Sequence, residues 1–98
     1  MERHVFYARL NPGREDEYVK AHRNMPRDLV AAYRKAGISN LFIFAHEDLL
    51  VLYLECEKLE AAMASLGENP MELQWQKLTG PMLVGGDFHK LTGIFQMP

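Results

Sequence analysis

The sequence predicts an α+β domain of order β-α-β-β-α-β, with helices layered on one face of a four-stranded antiparallel sheet. Three observations predict it. Apolar residues recur every three or four positions in two regions, the mark of amphipathic helix. Runs of β-branched and aromatic residues occupy the segments around and between them. Their order along the chain is the ferredoxin-like pattern. At 98 residues the chain makes one domain, 1–98, with a thin core.

Arg3 to Leu10 is expected as the first strand, stopped by Asn11-Pro12-Gly13. Asn11 suits a helix N-cap and Pro12 the first helical position. Glu15, Asp16 and Glu17 then favour the positive end of a helix dipole. Tyr18, His22, Met25, Leu29, Tyr33 and Ala36 follow on one helical face, and Gly37 closes the helix as a C′ residue. Pro26 lies inside this stretch and has no N–H for the His22 carbonyl. A kink near His22, or two short helices meeting there, is expected.

Asn40 to Ala45 and Leu49 to Cys56 read as strands joined by a hairpin turn at His46-Glu47-Asp48. Lys58 to Leu66 returns to helical spacing. Gly67-Glu68-Asn69-Pro70 interrupts it, with Asn69 as cap and Pro70 as first residue of a helical piece through Leu78. Gly80-Pro81 and Gly85-Gly86 mark a looser stretch, and Lys90 to Met97 is expected as the last strand.

The central strands do not alternate. Leu41-Phe42-Ile43-Phe44-Ala45 and Leu49-Leu50-Val51-Leu52-Tyr53-Leu54 are apolar at successive positions, so both sheet faces need cover. One chain's helices form one layer. A second copy packed sheet against sheet covers the other face, and a homodimer is expected on that ground. The alternative is that Met82–Lys90 folds across the open face.

A net charge of -2 gives no reason to expect nucleic acid or an anionic membrane as partner. No apolar run is long enough to cross a bilayer, and Met1 to Phe6 does not resemble a secretion signal. The one cysteine, Cys56, excludes an internal disulfide and suits a reducing compartment, so a cytoplasmic location is expected.

Among residues that carry chemistry, His22 stands out on an apolar helix face. A histidine there costs stability unless its ring nitrogens find partners, and its ordinary pKa near 6.5 suits proton transfer at neutral pH. A hydrogen-bonded, inert histidine is the bland alternative. Tyr18 sits one turn earlier on the same face, able to stack or donate its hydroxyl, or simply to fill the core. Trp75, the single tryptophan, is a platform for a sugar ring or else a core anchor, and the flanking Gln74 and Gln76 offer hydrogen bonds. His4, His46 and His89 show no metal-ligand spacing along the chain, so no metal is expected. Cys56 has no sequence-local activating partner and reads as structural.

These residues resemble the L-rhamnose mutarotase family. The resemblance lies in Asn11-Pro12 after the first strand, Glu17-Tyr18 with His22, Pro26, the Gly37–Asn40 turn, Leu49-Leu50 with Glu55, Trp75, and Ile94-Phe95-Gln96-Met97-Pro98. It covers nearly the whole chain, in order, with no single diagnostic motif. It implies a dimeric α/β barrel without cofactor or metal that interconverts the α and β anomers of a 6-deoxyhexose monosaccharide. It maps the proton-transferring histidine to His22 and a substrate-contacting tyrosine to Tyr18. Two substrate-contacting positions depart from the family: Leu41 replaces an aromatic, and Gln74-Trp75 replaces a tandem tryptophan pair. L-Rhamnose is the implied sugar, with L-fucose as an alternative. Gln74 is expected to hydrogen-bond a hydroxyl and Trp75 to stack on the sugar. Two rival readings remain: a dimeric α/β-barrel oxygenase or haem-handling protein, and a non-catalytic ligand-binding module.

Overall fold

The computed structural model describes residues 1–98. Strands β1 (Glu2–Arg9), β2 (Ile38–His46), β3 (Leu49–Cys56) and β4 (His89–Leu91) form one sheet in the order β2-β3-β1-β4. All neighbours are antiparallel. Helices α1 (Glu15–Arg23), α2 (Arg27–Lys35), α3 (Leu59–Gly67) and α4 (Pro70–Thr79) complete the βαββαβ order. No helix is long and apolar enough to cross a membrane.

The break at Pro26 divides the first helical region in two, as its missing N–H requires. Asn24 closes α1, and the Pro26 carbonyl accepts from Leu29 and Val30 N–H to open α2. The His22 carbonyl is not left free: Met25 N–H donates to it at 3.3 Å. Asn11 departs from its expected role. Pro12 and Gly13 form a turn, Gly13 at φ 80°, and α1 begins only after Arg14. The Asn11 side chain instead donates to the Pro81 and Leu83 carbonyls at 3.0 and 3.1 Å, pinning the stretch after α4 to the end of β1. Asn69 does cap α4, accepting from Met71 and Glu72 N–H, with Pro70 first in the helix.

Pairing sorts the strands into two faces. Ala8, Leu50, Leu54 and Cys56 are buried beneath the helices. One cluster joins Ala8, Leu10, Tyr18 and Leu50 to Met82 and Leu83; a second joins Ile38, Leu54 and Cys56 to Ala62 and Leu66. Met82, Leu83 and Phe88 thus pack on the helix side. The Met82–Lys90 segment does not cross the open face. That face carries Phe42 and Phe44, 49% and 62% exposed, with Tyr53 and Tyr7 beside them.

The last strand is shorter than expected. β4 pairs with β1 only at Val5, Phe6 and Tyr7, and ends at Leu91. Beyond Gly93 the chain has no strand partner, and Ile94, Phe95 and Met97 stand 95%, 82% and 79% exposed. Strand propensity alone does not hold a segment extended when neither ladder bonds nor packing reward it.

Gly37 ends α2 at φ 99°, where a Cβ meets nothing closer than the Glu57 Cβ at 3.9 Å. The cost of a side chain there is conformational rather than steric. Gly37→Ala is expected to lower unfolding free energy by about 1–2 kcal/mol. Gly67→Ala, in open space at an ordinary helical φ, is expected to be neutral or slightly stabilising. Denaturant titration of both variants checks the contrast.

Candidate active site

Between the helix-covered sheet face and helices α1, α2 and α4 lies a cavity of about 220 Å³. Its size lies below the usual range for drug-sized ligands and suits something smaller. Leu41, Ile43, Leu52 and Leu54 form its sheet wall. Tyr18 and His22 reach it from α1, Tyr33 from α2, and Glu72, Trp75 and Gln76 from α4.

The helical periods explain who arrives. Tyr18 and His22 are one turn apart on α1, as are Glu72 and Gln76 on α4, with Trp75 between them on the same side. Gln74 falls on the opposite side. It is exposed and lines a shallow outer groove with Ala21, Asn24 and Met71, so it does not meet the cavity as expected. The structure brings together His22, Tyr18, Leu41 and Trp75, and excludes Gln74.

His22 is held on three sides. Its Nδ1 lies 2.9 Å from the Tyr18 carbonyl. A carbonyl only accepts, so Nδ1 carries the hydrogen in the neutral ring. The Tyr18 ring tilts against the imidazole at 4.3 Å between centroids, and Trp75 meets it edge-on at 5.0 Å. Nε2 makes no hydrogen bond within the chain, yet no fully buried side-chain nitrogen or oxygen lacks a partner. Nε2 is therefore reachable, with its lone pair available in the neutral form.

Burial pushes the His22 pKa below its ordinary 6.5, and the hydrogen bond to Tyr18 opposes that only in part. Burial raises the Tyr18 hydroxyl to about 12, leaving it a neutral donor. Tyr33 is raised further, by burial and by donating its hydroxyl to Glu72 Oε1 at 2.7 Å. Gln76 Nε2 donates to Glu72 Oε2 at 2.8 Å. Sequence reasoning did not single out Tyr33 or Glu72 as site residues, and named Gln76 only as a hydrogen-bonding neighbour of Trp75. The signal was present: Glu72, Trp75 and Gln76 share one helical face, and a carboxylate beside a lone tryptophan on that face was the clue.

A second constellation was also invisible along the sequence. Glu2, His4 and Cys56 bring their side-chain ligand atoms within 4.8 Å of one another at one end of β1 and β3. Glu2 and His4 already have partners. Glu2 Oε1 accepts from Leu59 N–H at 2.9 Å, at the positive start of α3, and lies 3.0 Å from His4 Nε2. Lys90 adds positive charge nearby, and burial raises the Cys56 thiol. The arrangement is a helix-start anchor.

Fold and cavity define a class first: a ferredoxin-like α+β protein with a small-ligand cavity between its sheet and its helices. Comparison with known proteins makes this specific. The chain belongs to the L-rhamnose mutarotase family, whose profile matches residues 3–97. Members of this family are isomerases. An L-rhamnose mutarotase from Burkholderia ambifaria is 32% identical over 87 residues, 88% of this chain and 84% of that one. The crystal structure of an L-rhamnose mutarotase from Formosa agariphila superposes with a TM-score of 0.83 at 20% identity, covering 100% of both chains. A putative antibiotic biosynthesis monooxygenase from Bordetella bronchiseptica shares the fold at a TM-score of 0.72 and 16% identity, covering 95% of this chain and 96% of that one. That likeness is one of fold alone, since one scaffold serves unrelated chemistries.

The lowered His22 pKa has a thermodynamic consequence. Between that pKa and 6.5 the unfolded chain binds a proton that the folded chain refuses, so stability falls as pH drops through this window. NMR titration of the His22 ring is expected to give a midpoint below 6.5. His22→Gln is expected to flatten the pH dependence of unfolding across the same window. A midpoint at or above 6.5 contradicts the burial described.

Proposed function

We propose that this protein interconverts the α and β anomers of L-rhamnose, with His22 as the proton-transfer residue. The observation that carries the reading is the His22 ring itself. It is clamped through Nδ1 on the Tyr18 carbonyl, flanked by Tyr18 and Trp75, and keeps Nε2 free beside a cavity of monosaccharide scale.

Mutarotation opens a cyclic hemiacetal and closes it on the other face. The anomeric O1–H proton passes to His22 Nε2 while the C1–O5 bond breaks. The bonding pair stays on O5, which takes a proton from the neutral Tyr18 hydroxyl. Rotation about the C1–C2 bond and reversal of both transfers give the other anomer and restore both side chains. No covalent bond to the enzyme forms, and a single positioned base supplies about 10²–10⁴-fold. The reaction already runs in water, so that help suffices. Trp75 presents an aromatic surface to the apolar side of the sugar, and Leu41 packs from the sheet.

The protein acts as a homodimer in this reading. Phe42, Phe44 and Tyr53 stack across the open sheet face, with ring centroids 6.3 and 6.2 Å apart. Arg3, Asn40 and Tyr53 all donate to the Glu55 carboxylate and give that face a polar border. Ile94, Phe95 and Met97 are exposed as well, and a cluster of exposed aromatic side chains on a sheet face marks an interaction surface. A second copy of the same face supplies the cover.

Saturation-transfer NMR of anomer exchange tests the activity on L-rhamnose, with L-fucose and common aldoses alongside. His22→Ala is expected to lower the enzyme-dependent rate by about 10²–10⁴-fold. Wild-type activity is expected to hold at neutral pH and fall on acidification through a midpoint below 6.5, as Nε2 becomes protonated. Equal rates for wild type and His22→Ala remove the assignment. Sedimentation is expected to give about twice the 11.3 kDa chain mass for wild type, and the single-chain mass for Phe44→Glu. A wild-type monomer at micromolar concentration refutes the dimer.

A further inference from the structure

We propose that Glu72 is a substrate-binding residue that accepts hydrogen bonds from a vicinal pair of sugar hydroxyls, with Tyr33 and Gln76 as positioning residues that aim its carboxylate. The inference rests on the mutarotase reading of the cavity and adds how the sugar is recognised there.

Glu72 is half-buried on the same side of α4 as Trp75. Its two oxygens are each engaged once: Oε1 by the Tyr33 hydroxyl at 2.7 Å and Oε2 by the Gln76 amide at 2.8 Å. An ionised carboxylate accepts about four hydrogen bonds, so one acceptor site remains on each oxygen. Two adjacent acceptors on one rigid group match two O–H donors on neighbouring ring carbons.

The surroundings argue that donors must come. Met25, Ile38, Ile43, Leu52 and Met63 make most of the cavity apolar. A ligand that expels water without offering donors leaves a carboxylate poorly satisfied in low dielectric, which costs binding. A flat hydrocarbon substrate does that. A polyhydroxylated ring does not. The two clamps come from different elements, Tyr33 from α2 and Gln76 from α4 itself, so the carboxylate is aimed before the ligand arrives. Division of labour follows: His22, Tyr18 and Trp75 serve the anomeric end, and Glu72 serves the hydroxyls beyond it. This is also the role that Gln74, facing the outer groove, does not fill.

A purely structural Glu72, bracing α2 against α4, is the competing account. The test is anomer exchange by wild type, Glu72→Gln, Glu72→Asp and Tyr33→Phe. Each protein is assayed on L-rhamnose and on analogues lacking one ring hydroxyl, with thermal melting of each variant. For wild type, deleting a recognised hydroxyl is expected to raise KM on the order of 10- to 100-fold, the loss of one charge-assisted hydrogen bond. Glu72→Gln is expected to show a comparable KM increase on the intact sugar, with kcat within about threefold of wild type. On the deoxy analogue its KM is expected to rise less than about threefold further, because the partner is already gone. Glu72→Asp retains the charge on a shorter arm and is expected to raise KM while folding normally, which serves if the amide variant does not fold. Tyr33→Phe is expected to raise KM by less than Glu72→Gln. The proposal is overturned if a folded Glu72 variant keeps wild-type KM, or if hydroxyl deletion and Glu72→Gln multiply independently. Wild-type protein that exchanges no sugar overturns the mutarotase reading itself, and with it this assignment.

Discussion

The site depends on one hydrogen bond, from His22 Nδ1–H to the Tyr18 carbonyl one turn earlier on the same helix. It sets the tautomer, and so decides which nitrogen keeps a lone pair. It satisfies the nitrogen that would otherwise be orphaned in the packed layer between helix and sheet. Without it, a half-buried imidazole beside aliphatic side chains is only a destabilising polar group. With it, the ring is an oriented base, and burial rather than this bond holds its pKa below the ordinary value, so the neutral form is ready.

The helix that carries this bond stops soon afterwards. Pro26 ends α1 and restarts the chain as α2 at a new angle, so Tyr33 approaches the cavity from a second helix rather than from further along the first. Met25 takes the His22 carbonyl and keeps the break satisfied. Asn11, bonded across to Pro81 and Leu83, ties the segment after α4 against the start of α1. Cavity walls from sheet and helices therefore stay in register through polar contacts at their ends, while Leu29, Leu54 and Leu66 are among the buried apolar residues between them.

Two faces of one sheet serve two ends. The helix-covered face supplies Leu41, Ile43 and Leu52 to the cavity. The other presents Phe42 and Phe44 to solvent in the single chain. Because strand side chains alternate, the same strand residues that build the site fix which neighbours are left outside. The cavity and the apolar outer face are thus coupled by geometry.

Much of this was written in the chain. Element order follows from local patterns: the helical period through Tyr18, His22 and Leu29, the Asn69-Pro70 start, the Pro26 break and the two apolar strands. Their physics is short-ranged, so the sequence alone determined them, and the family match spanning residues 3–97 agrees. His22 was legible as an unusual residue on a predicted apolar face, and Trp75 as the single tryptophan of the second helical region. The tertiary structure alone decided which side chains share the cavity. Gln74 looked apt beside Trp75, but 100° per residue carries it to the outer side, while Glu72 and Gln76 lie on the inner one. The Tyr33–Glu72 bond joins residues 39 apart and depends on how α2 packs on α4. Asn11 left its capping role for carbonyls about 70 residues away, and the last strand stopped where β1 ceased to pair with it. For Asn11 and Tyr33 a long-range partner decided the outcome, and for the last strand the lack of one did, because a hydrogen bond of about 1 kcal/mol outweighs propensities of a few tenths.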